Sequence, residues 1–330
     1  MARLAPLAAL APLAALATPD RRRIVFAALA ALLLFALGAL VRPGFARPES
    51  VAAVLVVASF VGLVAAGQMF VVLIGGIDLS VPWVLNAAAI LLVTSSLGED
   101  ARAAYALLLT LGMGLGVGAL SGAGIALYGV PPVVMTLAMN GIMQGLTLGL
   151  SGGMTCGACA SYAPPVVRAA AGGTLLGVPA ALWLWLAVAV AVSAALSLTA
   201  FGRRTYAIGT NARASFLAGI NVRAVTVALY ALSGLFSAAA GIMLVGFGGQ
   251  AALGMGDPYL FQSIAAVVIG GVAIMGGRGH YVGVAAGTVS LVTLVSVLMA
   301  LNMPEYGRSI IYGVILLVLL LLYGREPGDG

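Results

Sequence analysis

Chemistry needs ionisable or nucleophilic groups, and a sequence of 330 residues with 7% charged side chains holds few of them. Asp78 is the only acid inside an apolar stretch, and His280 is the only histidine. No second carboxylate can form a dyad with Asp78, no His–Ser or His–Cys arrangement falls at a matched depth, and HExxH is absent. Ionisable groups in apolar surroundings are costly and therefore visible when present. A catalytic reading has almost no material: no catalytic residue, no metal site and no cofactor bound by this chain are expected. Fifteen arginines but no lysine exclude a GxxxxGK[ST] phosphate loop, so any ATP-driven role needs a separate ATPase. Cys156-Gly157-Ala158-Cys159 is a lone CxxC without the about four ligands a zinc site requires. It reads as structural, with a disulfide open to it if its loop faces the periplasm.

The polar groups that remain are neutral. Gln68, Asn86, Asn140 and Gln144 offer donors and acceptors suited to contacting an uncharged polyol, with Asp78 as a fifth candidate. Asn140 and Gln144 stand four apart and share a helix face. Each can equally make an interhelical hydrogen bond. Around Asp78 the run Leu73-Ile74-Gly75-Gly76-Ile77-Asp78-Leu79-Ser80-Val81-Pro82 interrupts the apolar pattern. Gly75 and Gly76 permit a break, Asp78 or Ser80 can cap the next helix, and Pro82 fits its first turn. Asp78 thus serves either as a capping and packing residue or as a solute contact. A similar Val-Ile-Gly-Gly occurs at Val268–Gly271. Gly75, Gly76, Gly270, Gly271, Gly276 and Gly277 are read as structural hinges, and two interrupted spans point to an internal repeat of two halves.

The elements that must position these groups follow from composition. The sequence is 63% apolar, against nearer half in soluble proteins. It cannot cover a water-facing surface, which excludes soluble, disordered and nucleic-acid-binding classes. The expected fold is all-α and polytopic, with about ten transmembrane helices including short and broken ones. They are placed at Ile24–Val41, Val51–Ile74, Leu79–Leu97, Ala103–Tyr128, Val133–Leu150, Ala180–Phe201, Val222–Phe247, Pro258–Met275, Tyr281–Leu301 and Tyr306–Tyr323. Arg21, Arg22 and Arg23 abut the first span, so the positive-inside rule puts the N-terminus in the cytoplasm. Ten alternating passes then divide the arginines 10 inside to 5 outside, with Arg42, Arg47, Arg102, Arg168 and Arg308 outside. Both termini come out cytoplasmic. Residues 1–23 read as a low-complexity cytoplasmic leader, 24–323 as the transmembrane domain and 324–330 as a cytoplasmic tail. Gly114, Gly118 and Gly122 form a doubled GxxxG, which suits close packing inside the molecule.

The longest internal cytoplasmic segment, Gly202–Arg223, carries four of the fifteen arginines. Thr210 or Asn211 can cap a short helix reaching about Leu217, and Gly219 can end it. Ala214, Phe216, Leu217 and Ile220 give it an apolar side too short to span. Such a helix suits docking to another protein, or is an ordinary interfacial connector.

Four ordered blocks carry a family resemblance. Gly75-Gly76-Ile77-Asp78-Leu79-Ser80-Val81 resembles the GGIDLSVG signature of the permeases of ribose-type, binding-protein-dependent ABC sugar importers. Val130–Leu137 is similar to that family's VPPFIVTLG segment. Arg203–Ile220 is similar to its GRxxYAIGxNxxAAxLSGI loop at Tyr206, Ala207, Ile208, Gly209, Asn211, Ala214, Leu217, Gly219 and Ile220. Ile264–Gly271 with Gly276-Gly277-Arg278-Gly279 resembles its IAAVVIGGxSLxGGRG block.

The resemblance implies a multi-pass permease of the bacterial inner membrane, with a second permease copy, a cytoplasmic ABC ATPase and a periplasmic solute-binding protein as partners. ATP and Mg would be used by the ATPase alone. It also implies that the loop containing Tyr206, Gly209, Asn211, Arg213, Ala214, Leu217, Gly219 and Ile220 couples to that ATPase. Departures fall near the expected pathway: Pro82-Trp83, Ala138-Met139-Asn140 and Val272-Ala273-Ile274-Met275 replace commoner family residues. The expected solute is a ribose-type or related monosaccharide, with a nucleoside or branched-chain amino acid as the alternative. A proton-coupled carrier using Asp78 is the rival of a different class.

Overall fold

The computed structural model describes residues 19–153 and 162–323. The CxxC pair, most of the leader and the tail lie outside the described residues. The chain runs α1 (Pro19–Val41), α2 (Pro48–Val72), α3 (Val81–Ser96), α4 (Asp100–Tyr128), α5 (Pro132–Ser151) and α6 (Pro165–Gly172). A two-stranded antiparallel ribbon follows, β1 (Thr174–Leu175) with β2 (Val178–Pro179), pairing Leu175 with Val178. Then come α7 (Ala180–Leu198), α8 (Ala200–Thr210), α9 (Ala212–Leu217), α10 (Val222–Gly248), α11 (Asp257–Ile269), α12 (Tyr281–Ala300) and α13 (Glu305–Tyr323).

The chain is an all-α membrane protein apart from that ribbon. Proline starts many of these helices: Pro48, Pro82, Pro132, Pro165 and Pro258 occupy the first or second helical position, where no intrahelical N–H is needed. Among the described residues, α2, α4, α5, α7, α10 and α12 are long and apolar enough to cross a bilayer. The apolar part of α1, together with α3 and α11, is shorter. Each of the ten expected stretches contains one helix, but the sixth ends early. A break at Thr199, whose hydroxyl accepts from the Gly202 N–H at 3.3 Å, starts α8. The small helix α6 and the ribbon were not anticipated, because the fifteen residues from Pro165 to Pro179 carry no long period.

Packing centres on α2 and α10. From Ala58 to the end of α2, and on through Leu73, every residue is buried. On α10, Ser233 packs against Gly67 of α2, and Gly241 against Leu85 and Ala88 of α3. The doubled GxxxG of α4 faces α10: Gly114 meets Gly234 and Ala238, Gly118 meets Tyr230 and Ala231, and Gly122 meets Val227 and Tyr230. This is the intramolecular contact its spacing suggested, with backbones brought together where side chains are missing. At the other side of α2, Tyr281 on α12 donates to the Gly62 carbonyl at 2.8 Å and accepts from the Trp185 indole of α7 at 2.9 Å. Outward faces of α1 and α7 carry Phe26, Leu29, Leu32, Leu33, Trp183, Leu184, Leu186 and Val190, all exposed, as lipid-facing helices require.

Candidate functional site: two chain breaks and a cytoplasmic helix pair

Both glycine-rich interruptions break the helical ladder. After α2, Ile74 and Gly75 tighten onto Val71 and Val72 carbonyls, Gly75 turns to φ +76°, and the chain runs without helix to Ser80. After α11 the chain stays irregular from Gly270 to His280, folded back on itself by an Ala273 N–H to Arg278 carbonyl bond of 2.9 Å. The helices beside these breaks are short. At about 1.5 Å per residue, the 16 residues of α3 reach about 24 Å and the 13 of α11 about 20 Å, less than the about 30 Å hydrocarbon core. Their N-termini meet: Gly256 abuts the Pro82 carbonyl. The buried Asn86 carboxamide is placed to donate to the Ala252 carbonyl at 2.9 Å and to accept from the Gly254 N–H at 2.7 Å. Irregular backbone is tolerated at such depth only where protein satisfies it, and here Asn86 does so.

Asp78 is 1% exposed. One carboxylate oxygen accepts from the Ser80 N–H at 2.9 Å and the Ser80 hydroxyl at 2.6 Å; the other accepts from Ser233 of α10 at 2.6 Å. Gln68 of α2 faces the Asp78 main chain, placed to donate to its carbonyl at 3.2 Å and accept from its N–H at 3.3 Å. Thr136 of α5 reaches the Ile77 carbonyl at 3.3 Å. The first break is therefore pinned to α2, α5 and α10 by polar groups whose hydrogen-bonding capacity is directed at each other. Tyr230 lies against Gly76 with its hydroxyl buried and without a hydrogen-bond partner among the described residues.

The structure separates the five candidate path groups. Gln68, Asp78 and Asn86 are buried in this bracing, whereas Asn140 is half-buried and Gln144 is exposed on α5. The outward side of α5 also holds Gly141, Gly145 and Gly149, each with open space where a Cβ would stand. Ser233, Thr136 and Tyr230 were missed in the sequence. Single polar residues within long apolar helices give no signal of which distant loop they meet.

The segment Gly202–Arg223 is a helix pair. The Asn211 side chain caps α9 by accepting from the Ala214 N–H at 2.9 Å, and Gly219 leaves it at φ +83°. Phe216 and Leu217 stand 68% and 79% exposed, large apolar groups on a helix of six residues. An open groove of about 740 Å³ runs beside them, lined by Ala212, Arg213, Phe216, Gly219, Ile220, Asn221, Val222 and Arg223. At the other end, Tyr206 of α8 donates to the Gly279 carbonyl at 2.7 Å. Gly209 sits directly against the Leu73 carbonyl and the Gly277 N–H. The Gly277 N–H in turn donates to the Leu73 carbonyl at 2.9 Å. Three segments that are far apart in sequence thus touch at one point.

Comparison with known proteins agrees with this architecture. The profile of the branched-chain amino acid transport system / permease component family matches residues 50–320. The ribose import permease protein RbsC of Bacillus subtilis is 33% identical, covering 89% of this chain and 90% of its own. The protein of that name from Escherichia coli K12 is 31% identical, over 90% of this chain and 92% of its own. The autoinducer 2 import system permease protein LsrC of Shigella flexneri is 31% identical, over 93% and 88%. No solved structure matches the chain.

Proposed function

Since the chain belongs to the branched-chain amino acid transport system / permease component family, and is thus a multi-pass membrane permease subunit rather than an enzyme, we propose that it imports a sugar. The solute is ribose-like: two of the relatives named above are ribose import permeases, and the path candidates Asn140 and Gln144 are neutral hydrogen-bonding groups. The energy comes from ATP and Mg on a separate cytoplasmic ATPase, and a periplasmic binding protein delivers the solute. The observation that carries the coupling reading is the α8–α9 pair. Its exposed Phe216 and Leu217 on a capped, rigid helix are suited to seating in a groove of another protein. Asn211, Arg213, Ala214, Leu217, Gly219 and Ile220 build or flank that docking element, while Tyr206 and Gly209 join it to the chain breaks rather than to the ATPase.

A second copy of the chain completes the path along α5. Lipid-facing α1 and α7 present Leu, Phe and Trp, but α5 presents Gln144 and three glycines beside Leu137 and Ile142, with the half-buried Asn140 one turn away. An exposed amide among lipid tails lacks partners, whereas a facing copy or a water-filled path supplies them. Ten passes in the inner membrane put both termini in the cytoplasm.

Uptake of labelled ribose by cells carrying the permease, ATPase and binding protein tests the reading. Phe216→Glu with Leu217→Glu is expected to abolish uptake and co-purification of the ATPase while leaving the permease in the membrane. Uptake that persists without any ATPase would sink the importer. The rival proton carrier requires uptake to survive ATPase loss and to collapse in Asp78→Asn.

A further inference from the structure

The contact between α8 and the two chain breaks is made of backbone. A Cβ on Gly276 would stand 2.8 Å from the Leu73 carbonyl, 2.9 Å from the Gly75 nitrogen and 3.2 Å from the Gly209 carbonyl. One on Gly277 would lie 2.9 Å from the Thr210 hydroxyl, and one on Gly209 would strike the Leu73 carbonyl. Gly276 and Gly277 also hold φ of +89° and +78°. Side chains between packed elements can change rotamer and absorb a displacement, whereas main chain in direct contact cannot. The breaks are tied to each other a second time where the N-termini of the short helices meet, by Asn86 in the second turn of α3 against the 252–254 loop and by Gly256 against Pro82. Joint, α3, the 252–254 loop and α11 therefore close a ring.

We propose that Gly209, Gly276 and Gly277 form a single joint that passes displacement of the ATPase-facing helices to both chain breaks at once, moving α3 and α11 as one unit. The proposal rests on the coupling reading of α8–α9 and specifies how the movement leaves it. Tyr206 is a positioning residue of the joint, holding α8 on the second break through the Gly279 carbonyl. Gly209→Ala wedges α8 off both breaks without touching Phe216 and Leu217.

The test uses the whole importer, permease with its ATPase and binding protein, purified and placed in lipid nanodiscs. Spin labels sit at Val190 on the lipid-facing side of α7 and at Leu97, the C-terminal end of α3, or Phe261 on α11, all exposed sites. In the parent complex, ATP with vanadate is expected to change both label distances together. In Gly209→Ala the ATPase should still co-purify and trap vanadate, but both distance changes should vanish. Hydrolysis should continue with the solute moved per ATP reduced about tenfold, within the usual range for a coupling term. Should that variant fail to fold, Tyr206→Phe removes one hydroxyl and should shrink both distance changes by the same proportion. A parent complex that binds no ATPase overturns the coupling reading and this inference with it. A complex that assembles and responds identically in parent and variants overturns the inference alone, as does movement of α3 without α11.

Discussion

Asp78 illustrates how a single residue changes meaning with its surroundings. A carboxylate in an apolar stretch invites a proton-carrier role, yet here Ser80 and Ser233 give it three hydrogen bonds. Each bond to an ionised group contributes roughly 1.5–3 kcal/mol, and removing the acceptor leaves buried donors unpaired. Asp78→Ala is expected to lower the unfolding free energy by about 3 kcal/mol, read as an earlier thermal transition of the detergent-purified permease. Asp78→Asn, which keeps the shape and an oxygen to accept from Ser80 while its NH2 can donate to the Ser233 hydroxyl, is expected to retain a large share of ATPase-dependent uptake. Ser233→Ala should lie between parent and Asp78→Ala in stability. Nothing in the sequence around Ser233 separates it from other small polar residues of α10, because its partner is 155 positions away.

At the scale of elements, glycine spacing was informative where it repeated and uninformative where it did not. Gly114, Gly118 and Gly122 announced a close helix contact, and α10 is the helix they meet. Replacing Gly118 with Ala would drive a methyl group into the Tyr230 backbone. Such overpacking costs typically about 1–3 kcal/mol, and the same change at Gly116, which has open space, should cost little. Thermal melts of the two variants side by side check this. The helix pair α8–α9 was half legible. Thr210 or Asn211 and Gly219 bracketed α9, and Asn211 is the cap, but Ala200 and Phe201 read as the end of the sixth span and Gly202–Thr210 was given no helix because α8 follows α7 after only Thr199. A cap that close to the preceding helix is masked by continuous apolar pattern.

On the scale of the molecule, the division of charge and of surface makes two further predictions. Arg213→Cys should react with a membrane-impermeant thiol reagent only from the cytoplasmic side, and Arg102→Cys only from the outside, in inverted and right-side-out vesicles. Accessibility of both from one side would break the ten-pass count. Gly145→Cys, on the outward face of α5, should cross-link to a second copy in the membrane, while Val190→Cys on α7 should not. The same cross-link is expected to block uptake, since it would freeze the face along which the second copy is proposed to pack.

Composition and period by themselves determined the compartment, the helical class and the approximate reach of each helix, because bilayer thickness and backbone satisfaction leave few alternatives. The lack of lysine excluded a phosphate loop of this type within the chain, and four ordered motifs pointed to which kind of transporter it resembles. Only the tertiary structure decided that the GGIDLS break, the helix pair and the GGRG break meet at Gly209. It alone divided the polar candidates, with Gln68, Asp78 and Asn86 turned inward and Gln144 turned out. Local sequence carries period, caps and turns, which act within a few residues. Contacts across 130 or 200 positions depend on how whole helices stack, and a glycine in the sequence does not say which backbone will come to lie against it.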